Sequence, residues 1–540
     1  MWLTYSLVIF LSVSYGLSIK QCQKKVVDAG LHKEVCVCTS NYCDEVPSLG
    51  NLDRNQVAIY STSKAGKRFN RTDSYLWTTP PEHVDHEITI NYKKKYQKII
   101  GFGAAFTDSA GINLRNLSND LQETLIAQYY GVNGIELTNG RVPMASTDFS
   151  THAYTYCDVE DDFELKNFAL ADEDINLKIP FIKMAEKIRG QPLNLFATPW
   201  SPPAWMKQSG KIVSGGPLKG DIEGAYYKTW AQYYIRFFEE YAKKDIKFWG
   251  VAVQNEPSLG IVEDFWWQEL YLSPATEREF IKQHLGPALR GNKLTKNLKI
   301  MCTDDQRFQL PGRPDEILND TVAASFVDGI SIHWYYSNIE IKYEDFLFST
   351  DRLDEVHNRH PNHFILGTEA CNGYTFVERG VNLGSWEGGE AYATDIIDDL
   401  KHWVAGWTDW NLCLSEEGGP TFVNNVVDAS IIVNAKKNEF YKQPTFFALG
   451  HFSIPTDYFH CSKFIRPDSV RVDMQISNLS KKDMVEGVAF LRPDNQFVVV
   501  IQNRNEEKEF TFRLKDPVRP LNSIQLTLEP NSIYSLIWKM

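Results

Sequence analysis

The sequence predicts a (β/α)8 barrel joined to an all-β sandwich built from segments at both ends of the chain. Three observations lead there. Between residues 97 and 453, short apolar β-rich runs alternate with helical patterns, and near-continuous apolar strands are the mark of a parallel sheet covered on both faces. Eight such runs occur before residue 411, the number a closed parallel barrel requires. From about residue 454 the texture changes to short period-two runs separated by Asn, Asp, Pro and charge, the pattern of an antiparallel sandwich.

The elements can be taken in order. Residues 1–16, "MWLTYSLVIFLSVSYG", form an apolar run too short to span a bilayer. Ser14 and Gly16 suit the −3 and −1 positions of a cleavage site, so the stretch reads as a signal peptide, although it lacks a basic start. No later segment approaches about 18 consecutive apolar residues, so a soluble mature protein is expected. Residues 17–50 form a cysteine-rich segment with Cys22, Cys36, Cys38 and Cys43. In a secreted chain these favour disulfides, and closing the shortest loops pairs Cys22 with Cys36 and Cys38 with Cys43. A zinc site is the alternative, but Cys-x-Cys lacks the usual ligand step. Cys157, Cys302, Cys371, Cys413 and Cys461 are scattered and are expected to be mostly reduced and buried. Sequons at Asn70, Asn116, Asn319 and Asn478 predict exposed glycosylation sites.

Residues 51–96, with "QVAIYSTSKAGKRFNRT" and "HEITINYKK", share the texture of residues 454–540 and are predicted to complete the same sandwich, so that the barrel (97–453) is inserted in it. The barrel strands are "KIIGFGAAF", "GRVPMAS", "LNLFATPW", "FWGVAVQNEP", "LKIMCTDD", "GISIHWY", "FILGTEA" and "VAGWTDWNL". Between them, "GAYYKTWAQYYIRFFEEYAKK" puts Tyr227, Trp230, Tyr234 and Phe237 on one helical face. "DEDINLKIPFIKMAEKIRG" opens on acids and closes on Gly190.

Composition bounds the function. The formal charge is 56 − 69 = −13 and no Lys/Arg block stands out, which argues against a nucleic-acid groove. Aromatics reach 13%, including 14 Trp, which suits a large core first and a sugar cleft second. Glu256 follows the fourth strand run and Glu369 ends the seventh, so a barrel would face them across its rim. Each alone could be a loop acid that caps a helix or pairs with Arg. Together they make the paired carboxylates of glycoside hydrolysis, one to protonate the leaving oxygen and one to attack. The charge of Glu369 is expected to keep the proton on Glu256 until Glu369 is esterified.

The segments "QNEPSLG", "TEACNGY", "GWTDWNL", "RVPMASTDFS", "ATPWSPPAWMK" and "YKQPTFFALGHFS" closely resemble the animal lysosomal acid β-glucosidases (glucosylceramidases) of glycoside hydrolase family 30, over nearly the whole mature chain. The resemblance implies that Glu256 is the acid/base and Glu369 the nucleophile of retaining hydrolysis of glucosylceramide to glucose and ceramide. Another β-glucoside or a β-xyloside is the alternative substrate, and a non-catalytic glycolipid-binding protein the alternative class. Asn255 resembles the amide that bonds the sugar 2-hydroxyl, and Arg141 the arginine beneath the sugar. Asp148, Trp200, Trp410 and Asn425 match the glucose subsite. Tyr335 could donate to the nucleophile, with His333 as an orienting group. Gln254 stands where some relatives carry an acid, so a third carboxylate is expected to be missing.

No Cys/His/carboxylate cluster has metal-site spacing, so no metal or cofactor is expected. The implied partners are a glycosphingolipid at an anionic membrane surface and a saposin-type activator, in the lysosome by way of the secretory pathway or else outside the cell. For membrane contact, Phe265, Trp266 and Trp267 in "VEDFWWQELY" are candidates, with a buried helix start as the alternative.

Overall fold

The computed structural model describes residues 19–78, 83–335, 349–453 and 464–540. The proposed signal peptide, Cys461 and the junction at residue 454 lie outside these residues. No described helix is long and apolar enough to cross a membrane.

Eight parallel strands form one sheet: Gly101–Ala105, Asn139–Met144, Asn194–Pro199, Gly250–Ala252, Lys299–Gln306, Gly329–His333, Phe364–Glu369 and Gly406–Asn411. Each coincides, to within one residue at either end, with one of the eight runs read from the sequence or lies inside it. The first seven strands pair each with the next in chain order, and the eighth pairs with the first. The ring closes between the seventh and eighth strands at their start, where Ala405 N–H donates to Ile365 O at 2.8 Å. Inside, Phe196, Ala252, Met301 and Leu366 fill the barrel floor.

The helix Ala225–Ala242 buries Tyr227, Trp230, Tyr234 and Phe237, the face that the spacing sets. The stretch that opens on acids starts as a π-turn, Asp174–Lys178, before the α-helix Ile179–Arg189. Pro180 explains the wide turn: it has no N–H to donate and its ring crowds the preceding turn. The helix stops at Gly190, whose φ of 72° is left-handed.

A nine-stranded sheet forms the second unit, and its own core includes Val57, Ile88, Phe497, Phe512 and Trp538. Three of its strands, Gln56–Ser63, Asn70–Tyr75 and His86–Lys98, precede the barrel in the chain, and the other six follow it. Gln56–Ser63 pairs antiparallel with Ser532–Lys539, so the first strand of this sheet in chain order lies beside the last.

The cysteine-rich segment forms a hairpin, Lys24–Asp28 and Lys33–Thr39. It adds to a third sheet with Glu439–Lys442, Ile431–Asn434 and Leu414–Ser415, which follow the eighth barrel strand. Disulfides join Cys22 to Cys36 and Cys38 to Cys43. Cys157, Cys302, Cys371 and Cys413 are free and buried. All four sequon asparagines are exposed.

Candidate active site

Chemistry at a barrel mouth depends on which side chains the strand ends turn inward. Three strands carry an extra residue there: Asp304 in the fifth, Thr368 in the seventh and Trp410 in the eighth are each skipped in the pairing register. Such bulges re-aim the side chains beside them. Glu256 (φ 36°) and Asp304 (φ 47°) adopt left-handed backbone, which costs a side-chain-bearing residue energy and persists only where the surroundings enforce it. Here the Glu256 amide donates to the Asp304 carbonyl at 2.9 Å, so the two strand ends hold one another.

Glu256 is buried, and its Oε1 accepts from Gln306 Nε2 at 2.5 Å and from His333 Nδ1 at 2.9 Å. Burial raises its pKa to about 7; His333 pulls the other way and the charge of Glu369 adds to the rise. Glu369 thus acts in the direction expected from the sequence, with burial as the larger cause. Burial also works against the charge on His333, but Glu369, Asp304 and Glu256 outweigh it and raise the imidazole to about 10.

Glu369 receives a donor at each oxygen: Arg141 Nη1 at Oε2, and the Tyr335 hydroxyl at Oε1 at 2.7 Å. Arg141 is fully buried beneath the mouth. Its Nη2 also donates to Asn255 Oδ1 at 3.0 Å and to Asp304 Oδ2 at 2.8 Å. Burial opposes the charge on Asp304, yet Arg141 and His333 hold its pKa far below the ordinary range. Trp200 and Trp410 stack with ring centroids 5.2 Å apart, and the Arg141 guanidinium lies 4.9 Å from the first and 5.4 Å from the second.

A cavity of about 420 Å³ opens over these groups. Asp148, Trp200, Asn255, Glu256, Tyr335, Glu369, Trp410 and Asn425 all line it, while Arg141 and His333 support it from below. Asn425 Nδ2 donates to Asp148 at 2.8 Å, and burial raises Asp148 to about 7. All ten residues singled out from the sequence therefore belong to one constellation.

Sequence reasoning missed Asp304, Gln306 and Glu269. The first two end the strand run "LKIMCTDDQ", and the rule that flagged Glu369, an acid at a barrel strand end, applies to Asp304 equally. Glu269 also corrects the expected loss of a third carboxylate. Gln254 is buried and donates to Trp200 O at 2.7 Å, but Glu269 reaches Asn255 from the loop after the fourth strand.

That loop is not a helix start at its aromatic run. Phe265 is buried and Trp267 lines the cavity; Trp266 is 59% exposed. A second loop, after the seventh strand, folds back at Gly373 and Gly380, which pair through Gly380 N–H and Gly373 O at 2.9 Å. Gly373 has φ 77°, and a Cβ there would meet Gly380 O at 2.2 Å. The tip presents Phe376 and Val377, 96% and 94% exposed, at the cavity rim.

Glu256, His333 and Glu369 offer ligand atoms within 4.8 Å of one another, a spacing that could hold a cation. An imidazole that stays protonated to about pH 10 has no lone pair to offer, so the donor set suits a proton better than a metal.

A barrel whose mouth brings together two glutamates, stacked indoles and an asparagine–aspartate pair has the build of a sugar-cleaving enzyme. Comparison with known proteins agrees. Residues 99–455 match the glycosyl hydrolase family 30 TIM-barrel domain, and residues 468–536 match the family 30 beta sandwich domain. The chain belongs to glycosyl hydrolase family 30. It is 44% identical to "Putative glucosylceramidase 4" of Caenorhabditis elegans, over 99% of each chain. It is 39% identical to the lysosomal acid glucosylceramidase of Mus musculus, over 98% of each. The crystal structure of SrfJ from Salmonella typhimurium shares the fold, with a TM-score of 0.78 at 24% identity, covering 90% of this chain and all of that one.

Proposed function

We propose that the protein is a retaining β-glucosidase that hydrolyses glucosylceramide to glucose and ceramide, with Glu369 as nucleophile and Glu256 as acid/base. One observation carries this reading. Oxygens of Glu256 and Glu369 lie within 4.8 Å of each other, which favours the roughly 5–5.5 Å carboxyl separation of double displacement over the roughly 6.5–9.5 Å that leaves room for an inverting water. The full-length likeness to glucosylceramidases supports the choice of substrate.

The steps follow from the contacts. Glu256 Oε1 already accepts two hydrogen bonds, so the acidic proton belongs on Oε2. Glu369 attacks the anomeric carbon while that proton passes to the departing ceramide oxygen, leaving a glucosyl ester. Esterification removes the negative charge of Glu369 and makes Glu256 a stronger acid, whose conjugate base then takes a proton from the attacking water. Water breaks the ester, and glucose leaves with its β configuration. Asn255, between Arg141 and the cavity, is placed to bond the 2-hydroxyl, and Asp148 with Asn425 to bond hydroxyls further round the ring.

The lipid tail suggests where this happens. We place the reaction at an anionic membrane surface in the lysosomal lumen, reached through the secretory pathway and assisted by a saposin-type activator. The exposed Trp266 and the Phe376–Val377 tip would meet the bilayer.

The test is the first-formed anomer from an aryl β-glucoside, followed by NMR, together with Glu369→Gln. Retention is expected, and E369Q should lose at least about 10³-fold in kcat while keeping its fold. Initial release of α-glucose, or an active E369Q, would overturn the assignment. Fluorescent short-chain glucosylceramide, set against an aryl β-xyloside, tests the substrate, and preference for the xyloside would reject it.

A further inference from the structure

Glu269 is fully buried, carries one of the most perturbed carboxyls around the cavity and takes no part in the steps above. Its Oε1 accepts two hydrogen bonds, from Trp267 Nε1 at 2.9 Å and from Asn255 Nδ2 at 3.3 Å. Its Oε2 is buried with no hydrogen-bond partner. The stretch is pinned from the other side, where the buried Lys207 ammonium donates to the Glu269 carbonyl at 2.9 Å and to Ser214 O at 2.7 Å. Asn255 Oδ1 in turn accepts from Arg141 Nη2, and the same guanidinium holds Glu369.

We propose that Glu269 is a positioning residue for the glycosidase reaction: it fixes the Asn255 amide between itself and Arg141, so that the second N–H of Asn255 points at the substrate hydroxyl beside the reacting carbon. This rests on the function proposed above and adds a residue to it. An amide can turn over, exchanging its oxygen and nitrogen, with little change of shape. Arg141 can only donate, so it needs the amide oxygen, and Glu269 Oε1 accepts only from the amide nitrogen, so the two together admit one orientation. One hydrogen on Nδ2 goes to Glu269, and the other is left for the cavity that Asn255 lines.

The surroundings of Glu269 favour its uncharged form. Burial pushes its pKa far up, and the charge of Glu256 adds to the rise. A carboxylic acid keeps its carbonyl oxygen as acceptor for Asn255 and Trp267 while its hydroxyl takes the unpartnered Oε2 position. A carboxylate there would set a second negative charge beside Glu256 and would compete with Glu369 for Arg141.

The experiment compares wild type, Glu269→Gln, Glu269→Leu and Asn255→Ala on an aryl β-glucoside and on its 2-deoxy counterpart. Glutamine keeps an Oε1 acceptor of the same shape; leucine removes it. E269L should lose about 10- to 100-fold in kcat on the glucoside, the cost of an orphaned buried amide, and less than about threefold on the 2-deoxyglucoside. E269Q should restore most of that loss. In the N255A background E269L should add nothing further. The proposal fails if E269L slows both substrates equally, if E269Q is as impaired as E269L, or if the N255A and E269L losses multiply. A wild type that turns over neither glucoside removes the glucosidase reading and this one with it. An active wild type with any of the three failures removes only this one.

Discussion

At the scale of single residues, the two central glutamates differ because of what touches them. Glu369 has a cation and a phenol at its oxygens. Glu256 has a burial penalty, eased by the imidazolium of His333. Because His333 lowers the pKa of Glu256, removing its charge must raise it. His333→Asn should move the alkaline limb of the kcat/KM profile to higher pH than in wild type, where Glu256 places that limb near pH 7. A limb that stays fixed or moves down would show that Glu256 is not the group that titrates. Seven of the ten residues singled out from the sequence, Glu256, Glu369, Asn255, Trp200, His333, Tyr335 and Trp410, were legible because they sit at or just beyond strand ends. Asp304 met the same strand-end rule without being singled out, and Glu269 met none. The inward aim of Asp304 comes from a bulge, and Glu269 reaches Asn255 from 14 positions along a loop; neither a bulge nor loop packing has a periodic signature.

Among elements, all eight barrel strands could be read because each is apolar on both faces, and the sandwich strands because they alternate. The part played by the hairpin around Cys22–Cys43 was less evident. Its central strand, Lys33–Thr39, pairs with Glu439–Lys442, some 400 positions away, where the sole local clue was a disulfide framework. This hairpin braces the rim: Lys33 Nζ donates to Asn382 Oδ1 at 2.7 Å, in the same loop that carries the Phe376–Val377 tip. That tip is expected to serve the lipid and not the sugar. Phe376→Ser with Val377→Ser should cut hydrolysis of glucosylceramide in anionic vesicles severalfold and leave a soluble aryl glucoside within about twofold, since burying two such side chains in a bilayer contributes about 3–6 kcal/mol at most. Equal activity on vesicles would remove the tip from the membrane contact.

Across the whole molecule, buried acids set the pH at which the fold is strongest. Burial raises Asp148, Glu256, Asp409 and Glu486 to about 7 and Asp428 to about 6. In the unfolded chain such groups release their protons near pH 4. Between about pH 4 and 7 the folded protein thus holds protons that the unfolded chain has lost, and stability falls as pH rises through that window. His451, buried and lowered to about 3, works in the opposite sense, losing stability as pH falls below about 6.5. Five carboxyls outweigh it, and a formal charge of −13 adds self-repulsion at neutral pH. The melting temperature at pH 5 should therefore exceed that at pH 7.5 at matched ionic strength. A higher value at pH 7.5 would mean that these carboxyls are ionised in the folded state.

The pairing of Gln56–Ser63 with Ser532–Lys539 bears on how the chain comes to be made. A ribosome delivers residues in order, so the early strand can pair at once with Asn70–Tyr75 on one side, while its other edge must wait as more than 450 positions are added. The barrel can condense in that interval, but the sheet beside it cannot zip shut until the final strand emerges. Nascent molecules thus spend most of their synthesis with an open edge, the state in which chaperones have most to hold.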